Sequence, residues 1–338
     1  MNDTLKRILA KLGPFLGLIL VVVLFSLPAE MRDVFPTYGN FRFVFIQTVI
    51  VAVGALGMTL IIVSGGIDLS VGSSIALTSV VGASLIQRGW GPAGVVLVSL
   101  ASGGVIGLLN GGAIAGLRMI PFIITLGTLG IARGSAKWLA GDQTVNYESS
   151  PINTWMSAPT ITFAEGGPAW LPGFLARFVE FAGKLPVGVW ITVVLAVFTS
   201  LLLRHTVFGR HVFALGSNEA TARLCGIPTT RLKVMIYALA GCFFGLAGLF
   251  QLSRLRQGDP TVAVGLELDI IAAVIIGGAS LSGGVGTILG SMIGALIMAV
   301  LRNGSQQMGW PTYFQEIIIG LVIIAAVFLD RLRQGKQG

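Results

Sequence analysis

Charge is scarce in this 338-residue sequence: Asp, Glu, Lys and Arg together make up 11%, against about 25% in a soluble globular domain. Cysteine and histidine are scarcer, two of each. Cys225 sits in a basic loop and Cys242 in an apolar run, which excludes a disulfide framework or a thiolate metal site. His205 and His211 both lie in the same basic loop. The apolar runs therefore hold no histidine to act as base for a membrane-embedded serine nucleophile. No G-x-x-x-x-G-K-[ST] is present; "FAGKLP" has neither the glycine spacing nor the hydroxyl residue, so the chain has no phosphate-cradling loop of its own. A small-x-small cleavage site is also missing after the first apolar run, where "LFSLPAEM" stands, so residues 14–28 read as a retained span.

What is abundant is apolar surface and glycine. Hydrophobic residues make up 54%, the mean hydropathy is +0.88, and 47 residues are glycine. Apolar runs near 14–28, 43–63, 70–87, 92–116, 121–140, 187–203, 234–253, 269–281, 286–301 and 314–330 approach or exceed the ~18 residues that cross a hydrocarbon core. The sequence predicts an all-α polytopic membrane protein of about ten transmembrane helices, forming one transmembrane domain over 1–338. Small residues recur four apart at Gly103/Gly107/Gly111, Gly112/Gly116, Gly241/Gly245 and Gly290/Gly294. That spacing lets helix backbones approach closely where lipid gives no hydrophobic drive for association.

The net charge of +8 points to a membrane surface and not to nucleic acid, because of how it is distributed. With the N-terminus inside, the cytoplasmic segments hold twelve basic residues against four acids, and the outer segments ten against ten. Both termini, Arg210 and the tail with Lys336 are then cytoplasmic, and Trp155 and Trp170 are outside. Two loops are long: 141–186, extracytoplasmic, and 204–233, cytoplasmic and basic. Arg133, Lys137, Asp269, Arg302 and Glu316 are expected near span ends, where snorkelling satisfies them. An ion-driven carrier keeps a buried ionisable group, so its expected absence assigns the energy source to another subunit.

The stretch "GMTLIIVSGGIDLSVGS" (57–73) interrupts two apolar runs with Gly65, Gly66, Asp68 and Ser70. Gly65-Gly66 is expected to end one helix, and Asp68 or Ser70 to cap the next at the cytoplasmic interface. A second copy, "GGASLSGG" at 277–284, matches "GGIDLSVG" at Gly65/Gly277, Gly66/Gly278, Leu69/Leu281, Ser70/Ser282 and Gly72/Gly284. Interrupted helices at corresponding positions of a repeat point to a transport pathway, and both breaks are expected to form its inner gate.

These residues resemble the permease subunits of bacterial ABC-type sugar importers of the ribose/xylose/galactose type. Four ordered blocks carry the resemblance between about 43 and 330: 57–73, "GLLNGGAIAGLRMIPFIITLGTLGIARG" (107–134), "GRHVFALGSNEATARLCGI" (209–227) and "ELDIIAAVIIGGASLSGGVGT" (267–287). Ile270 departs from the alanine usual there, and 141–186 carries no block. The resemblance implies a non-enzymatic transport subunit in the bacterial inner membrane that binds no cofactor itself. Its implied partners are a second permease copy or paralogue, an extracytoplasmic sugar-binding protein, and cytoplasmic ATPase subunits that use ATP and Mg. It further implies an ATPase-coupling helix within 216–227. There Ser217 or Asn218 would cap, Glu219 would occupy the first turn with Arg223 four residues on, and Gly226 would stop the helix. The rival readings are a permease of the same type for a nucleoside or furanone signal, a secondary carrier, and a channel or structural membrane protein.

Overall fold

The computed structural model describes residues 3–162, 168 and 172–334; Trp170 and Lys336 lie outside the described residues. Ten helices coincide with the ten apolar runs: α1 (Asp3–Ser26), α2 (Tyr38–Val63), α3 (Val71–Gln87), α4 (Pro92–Leu117), α5 (Pro121–Ala140), α7 (Val187–His205), α10 (Thr229–Leu255), α11 (Leu266–Ile276), α12 (Ile288–Gln307) and α13 (Thr312–Gln334). Three more lie in the long loops: α6 (Gly173–Lys184) in 141–186, and α8 (Val207–Ser217) and α9 (Glu219–Leu224) in the basic loop 204–233. Five helices among the described residues, α2, α4, α7, α10 and α12, are long and apolar enough to cross a membrane by length and composition.

Local chemistry sets the helix boundaries. Thr37, Thr206 and Thr287 each accept a backbone N–H of the following turn, which satisfies a donor that the helix leaves orphaned. Pro92 and Pro121 open α4 and α5, where a fixed φ and a missing N–H cost nothing.

The core is built around α2, which is apolar on all sides and buried over nearly its whole length; such a helix belongs inside a bundle. The α4–α10 seam is made by glycine. A Cβ at Gly103 or Gly107 would fall on the backbone of Gly241 or Tyr237, and one at Gly245 would lie 2.6 Å from the Ser99 carbonyl oxygen. Gly290 and Gly294 seat α12 on the backbone of Gly277 and Ala273 in the same way. Gly112 and Gly116 do not follow the expected pattern, since nothing lies within 4 Å of a Cβ at either. Ile270, the departure from the usual alanine, fills the space left by Gly54 of α2, where a Cβ would sit 2.5 Å from its Cδ1.

The short eighth run is explained by the path of the chain before α11. Two two-residue strands, β1 (Val145–Asn146) and β2 (Gln257–Gly258), pair antiparallel. From β2 the backbone runs along α3 without helix: Gly258 lies against Val80 and Ala83, and Gly72 against Ala263 and Glu267. Non-helical backbone inside a membrane protein is tolerated where protein buries it. The eleven residues of α11 rise only about 16 Å, and this segment extends the chain beyond its N-terminal end.

Candidate inner gate and coupling element

Gly65 ends α2 in the left-handed region, at φ +83. The Gly65 N–H donates to Ile62 O and the Gly66 N–H to Ile61 O, both at 2.9 Å, so the last turn closes on itself. The sequence expects Asp68 or Ser70 to cap α3; the structure instead turns the two side chains onto each other and into the bundle. Asp68 is 1% exposed. Its Oδ1 accepts from the Ser70 N–H at 2.7 Å and from the Ser70 hydroxyl at 2.6 Å, and its Oδ2 accepts from Asn110 Nδ2 at 3.2 Å. The Ser70 hydroxyl is committed to Asp68, so Ser70 begins α3 without a side-chain cap bond.

The carboxylate therefore anchors the break to the bundle. Asn110 of α4 also donates to Ser70 Oγ at 3.0 Å and accepts from Thr128 of α5 at 2.6 Å. On the other side Tyr237 of α10 donates to Ile67 O at 3.4 Å. A buried carboxylate is costly unless hydrogen bonds replace its water; here three donors do so, and no cationic side chain among the described residues bonds to it. Asn110, Thr128 and Tyr237 escaped the sequence reading because single polar residues in apolar runs carry no spacing signal.

Asp269 corrects a second expectation. It is fully buried in the first turn of α11, with Oδ2 held by Arg302 Nε at 2.7 Å and Nη2 at 2.5 Å. Arg302 reaches it from α12 and does not snorkel. With Asp68 and Asp269 both buried, the sequence argument that no buried ionisable group exists falls. Arg133 turns inward as well, donating to Pro260 O and Val262 O.

The second break has the chemistry of the first with one residue fewer. Gly278 is its left-handed residue, at φ +92, while Gly277 stays right-handed at φ −66. The Gly278 N–H donates to Ile275 O and the Ala279 N–H to Val274 O, the bonds that Gly65 and Gly66 make. The polar turn keeps the register of the sequence repeat: Ser282 N–H donates to Ser280 Oγ at 3.2 Å, as Ser70 N–H does to Asp68.

The two breaks meet, and a third segment meets them. Gly284 N–H donates to Val63 O at 2.9 Å. A Cβ at Gly283 would lie 2.9 Å from Gly65 Cα and 2.6 Å from Gly216 O. Gly216, one residue before the end of α8, has no room for a Cβ either, with Gly284 N at 2.6 Å and the Val63 carbonyl closer. Gly65, Gly216 and Gly283 thus form one backbone-to-backbone junction, and any side chain at Gly216 would force it apart. Sequence reading missed Gly216 because its partners, Val63, Gly65, Gly283 and Gly284, lie in segments far from it along the chain.

The candidate coupling element, α9, follows at once. Asn218 caps α9 by accepting the Thr221 N–H at 2.9 Å. Ser217, the alternative cap, instead ends α8 and stands at the second break, its Oγ 2.6 Å from where a Cβ of Gly284 would be. Glu219 binds Lys233 Nζ at 2.8 Å and Arg223 Nη2 at 3.2 Å. Burial pushes the Glu219 carboxyl up, but these two cations outweigh it and hold it below its ordinary value. Gly226, at φ +80, closes α9 with Ile227 N–H on Ala222 O at 3.1 Å.

Comparison with known proteins gives this geometry its setting. A family model described as "Branched-chain amino acid transport system / permease component" matches residues 40–327. The ribose import permease protein RbsC of Escherichia coli (strain K12) is 37% identical over 318 residues, 94% of each chain. RbsC of Bacillus subtilis (strain 168) is 39% identical over 328 residues, 96% of this chain and 94% of the relative. The galactose/methyl galactoside import permease protein MglC of Escherichia coli (strain K12) is 34% identical over 335 residues, 94% of each. No solved structure matches the chain. All-helical, apolar and alike to these permeases along almost its full length, the chain belongs to the permease-component family of ABC import systems, as a multi-pass protein of the inner membrane.

Proposed function

We propose that this chain is the membrane-spanning subunit of an ATP-driven monosaccharide importer, and that it crosses the bilayer ten times with both termini in the cytoplasm. The observation that carries the substrate class is the set of sugar permeases, for ribose, fructose, L-arabinose and galactose, among its relatives. The topology rests on the coincidence of ten helices with ten apolar runs and on the excess of basic residues on one side.

In this reading a second permease copy or paralogue completes the pathway, and an extracytoplasmic binding protein delivers the sugar. Cytoplasmic ATPase subunits hydrolyse ATP with Mg; this chain binds neither. Ser217, Asn218, Glu219, Arg223 and Gly226 build the element that engages the ATPase. The breaks at Gly65, Gly66, Asp68 and Ser70 and at Gly277, Gly278 and Ser282 form the inner gate. Displacement of α9 is transmitted over three residues of chain to Gly216, and from Gly216 to both breaks, because no compressible side chain intervenes.

The test is reconstitution in liposomes. The purified chain alone should take up no labelled ribose, arabinose, fructose or galactose. Adding its ATPase and binding protein should give ATP-dependent uptake of one of them. Counterflow or ion-driven uptake by the chain alone would overturn the reading.

A further inference from the structure

Between α9 and the nearby ends of α4, α5 and α10 lies a cavity of about 1020 Å³, at the upper end of the ~300–1,000 Å³ usual for small-ligand sites. Four cations line it, Arg118, Arg223, Arg231 and Lys233, against one acid, Glu219. Glu219 is already shared by Lys233 and Arg223. Arg118 and Arg231 make no hydrogen bond or ion pair among the described residues. Both are exposed, and Arg118 is presented on a left-handed backbone, φ 53, at the end of α4.

We infer that this cavity binds the headgroup of an anionic phospholipid. Its walls are the ends of three apolar helices, so it sits where hydrocarbon gives way to headgroups. A phosphodiester there would meet two guanidinium groups without internal partners, and guanidinium matches phosphate oxygens in a bidentate fork. The way out of the cavity is apolar. Ile120 at its edge is 64% exposed, and Phe122 and Ile123 continue an exposed apolar face along α5. A free anion has no use for that face, whereas an acyl chain does. Basic pockets at span ends beside such faces are the chemistry by which anionic lipids are recognised. The site is independent of which solute the chain carries. Because α9 forms one of its walls, an occupied site would brace the coupling element.

The experiment measures bound lipid on the full chain, purified in non-ionic detergent, by native mass spectrometry and lipid extraction. Wild type should retain phosphatidylglycerol-class lipid in preference to phosphatidylcholine. Arg118→Gln/Arg231→Gln should lower that retention roughly tenfold, the scale of two lost charge-assisted contacts. Arg118→Lys/Arg231→Lys should retain part of it, a rescue that misfolding would not produce. Vesicles of phosphatidylcholine with phosphatidylglycerol should raise the melting temperature of wild type over phosphatidylcholine alone, and not that of the Gln variant. Equal lipid in wild type and the Gln variant overturns the proposal. So does displacement of the lipid by excess inorganic phosphate at unchanged affinity, which would mark a free-phosphate site. Loss of ATPase co-purification with lipid unchanged also overturns it, by making the cavity a protein interface.

Discussion

The two breaks share a sequence pattern and differ in what holds them. The first is held by a fully buried carboxylate whose bonds reach α4 directly and α5 through Asn110. The second puts the neutral hydroxyl of Ser280 in the same place and is one residue shorter between its left-handed glycine and its polar turn. The left-handed glycines Gly65 and Gly278 are both exposed and Asp68 and Ser280 both buried, so the burial of the two breaks differs at Ser70, which is buried, and Ser282, which is exposed. Acid against serine is one of the differences between the two copies, and Gly283 of the second packs directly on Gly65 of the first. Repeats in a transport protein need not be mechanically equivalent, because burial decides what the same turn is tied to.

The junction can be broken most directly at Gly216. Gly216→Val places carbon on the Val63 carbonyl and on Gly284 N, an overpacking worth about 1–3 kcal/mol. ATP-driven uptake in vesicles should fall at least about tenfold, each tenfold corresponding to ~1.4 kcal/mol. Gly112→Val, with open space around its Cβ, should leave uptake near wild type. Equal uptake in the two variants would mean that the breaks and α8 do not touch tightly.

Asp68 and Ser280 sharpen the contrast between the breaks. Asp68→Ala strands buried donors on Ser70 and Asn110, at ~1–3 kcal/mol for a buried unsatisfied group. Ser280→Ala removes a neutral acceptor, worth about 1 kcal/mol. The melting temperature in detergent should drop more for Asp68→Ala, with Asp68→Asn between them because it keeps an acceptor. Equal drops would erase the distinction.

The helices that lead into the breaks are locked by Gly54 and Ile270. Gly54→Ala should destabilise by about 1–3 kcal/mol through overpacking, and adding Ile270→Ala should restore part of the loss. Additive effects in the double-variant cycle would show that α2 and α11 do not move as one body.

The smallest effect concerns pH. The Glu219 carboxyl is held below its ordinary value, so its contribution is present above the unfolded carboxylate value of about 4.3 and is lost as pH falls through the lower, folded one. Coupled ATPase activity should therefore show no Glu219-dependent change between about pH 5 and 8, when wild type is compared with Glu219→Gln. A difference that titrates within that window would mean that Lys233 and Arg223 do not hold Glu219.

Much of the architecture was legible because it is local. Apolar runs became helices within about six residues of their expected ends, except that α1 begins at Asp3 and not near residue 14, since backbone polar groups in an apolar chain have no partner but their own helix. The short helix α9 was legible for the same reason: Asn218, Glu219, Arg223 and Gly226 act on neighbours within four residues. The choice between Ser217 and Asn218 stayed open because a hydroxyl beside an asparagine offers an equal local cap; the structure gives the cap to Asn218 and sets Ser217 against Gly284.

Composition and charge by themselves determined that this is a helical membrane chain, and local capping determined where the short helix after Asn218 begins, because hydropathy and capping act along the backbone. Only the tertiary structure decided that Asp68 and Asp269 are buried, that the two breaks touch, and that Gly216 joins them to α9. Each of these depends on segments far apart in sequence brought within a few ångströms, and the energy that selects such a meeting comes from packing around it and leaves no pattern in the residues on either side.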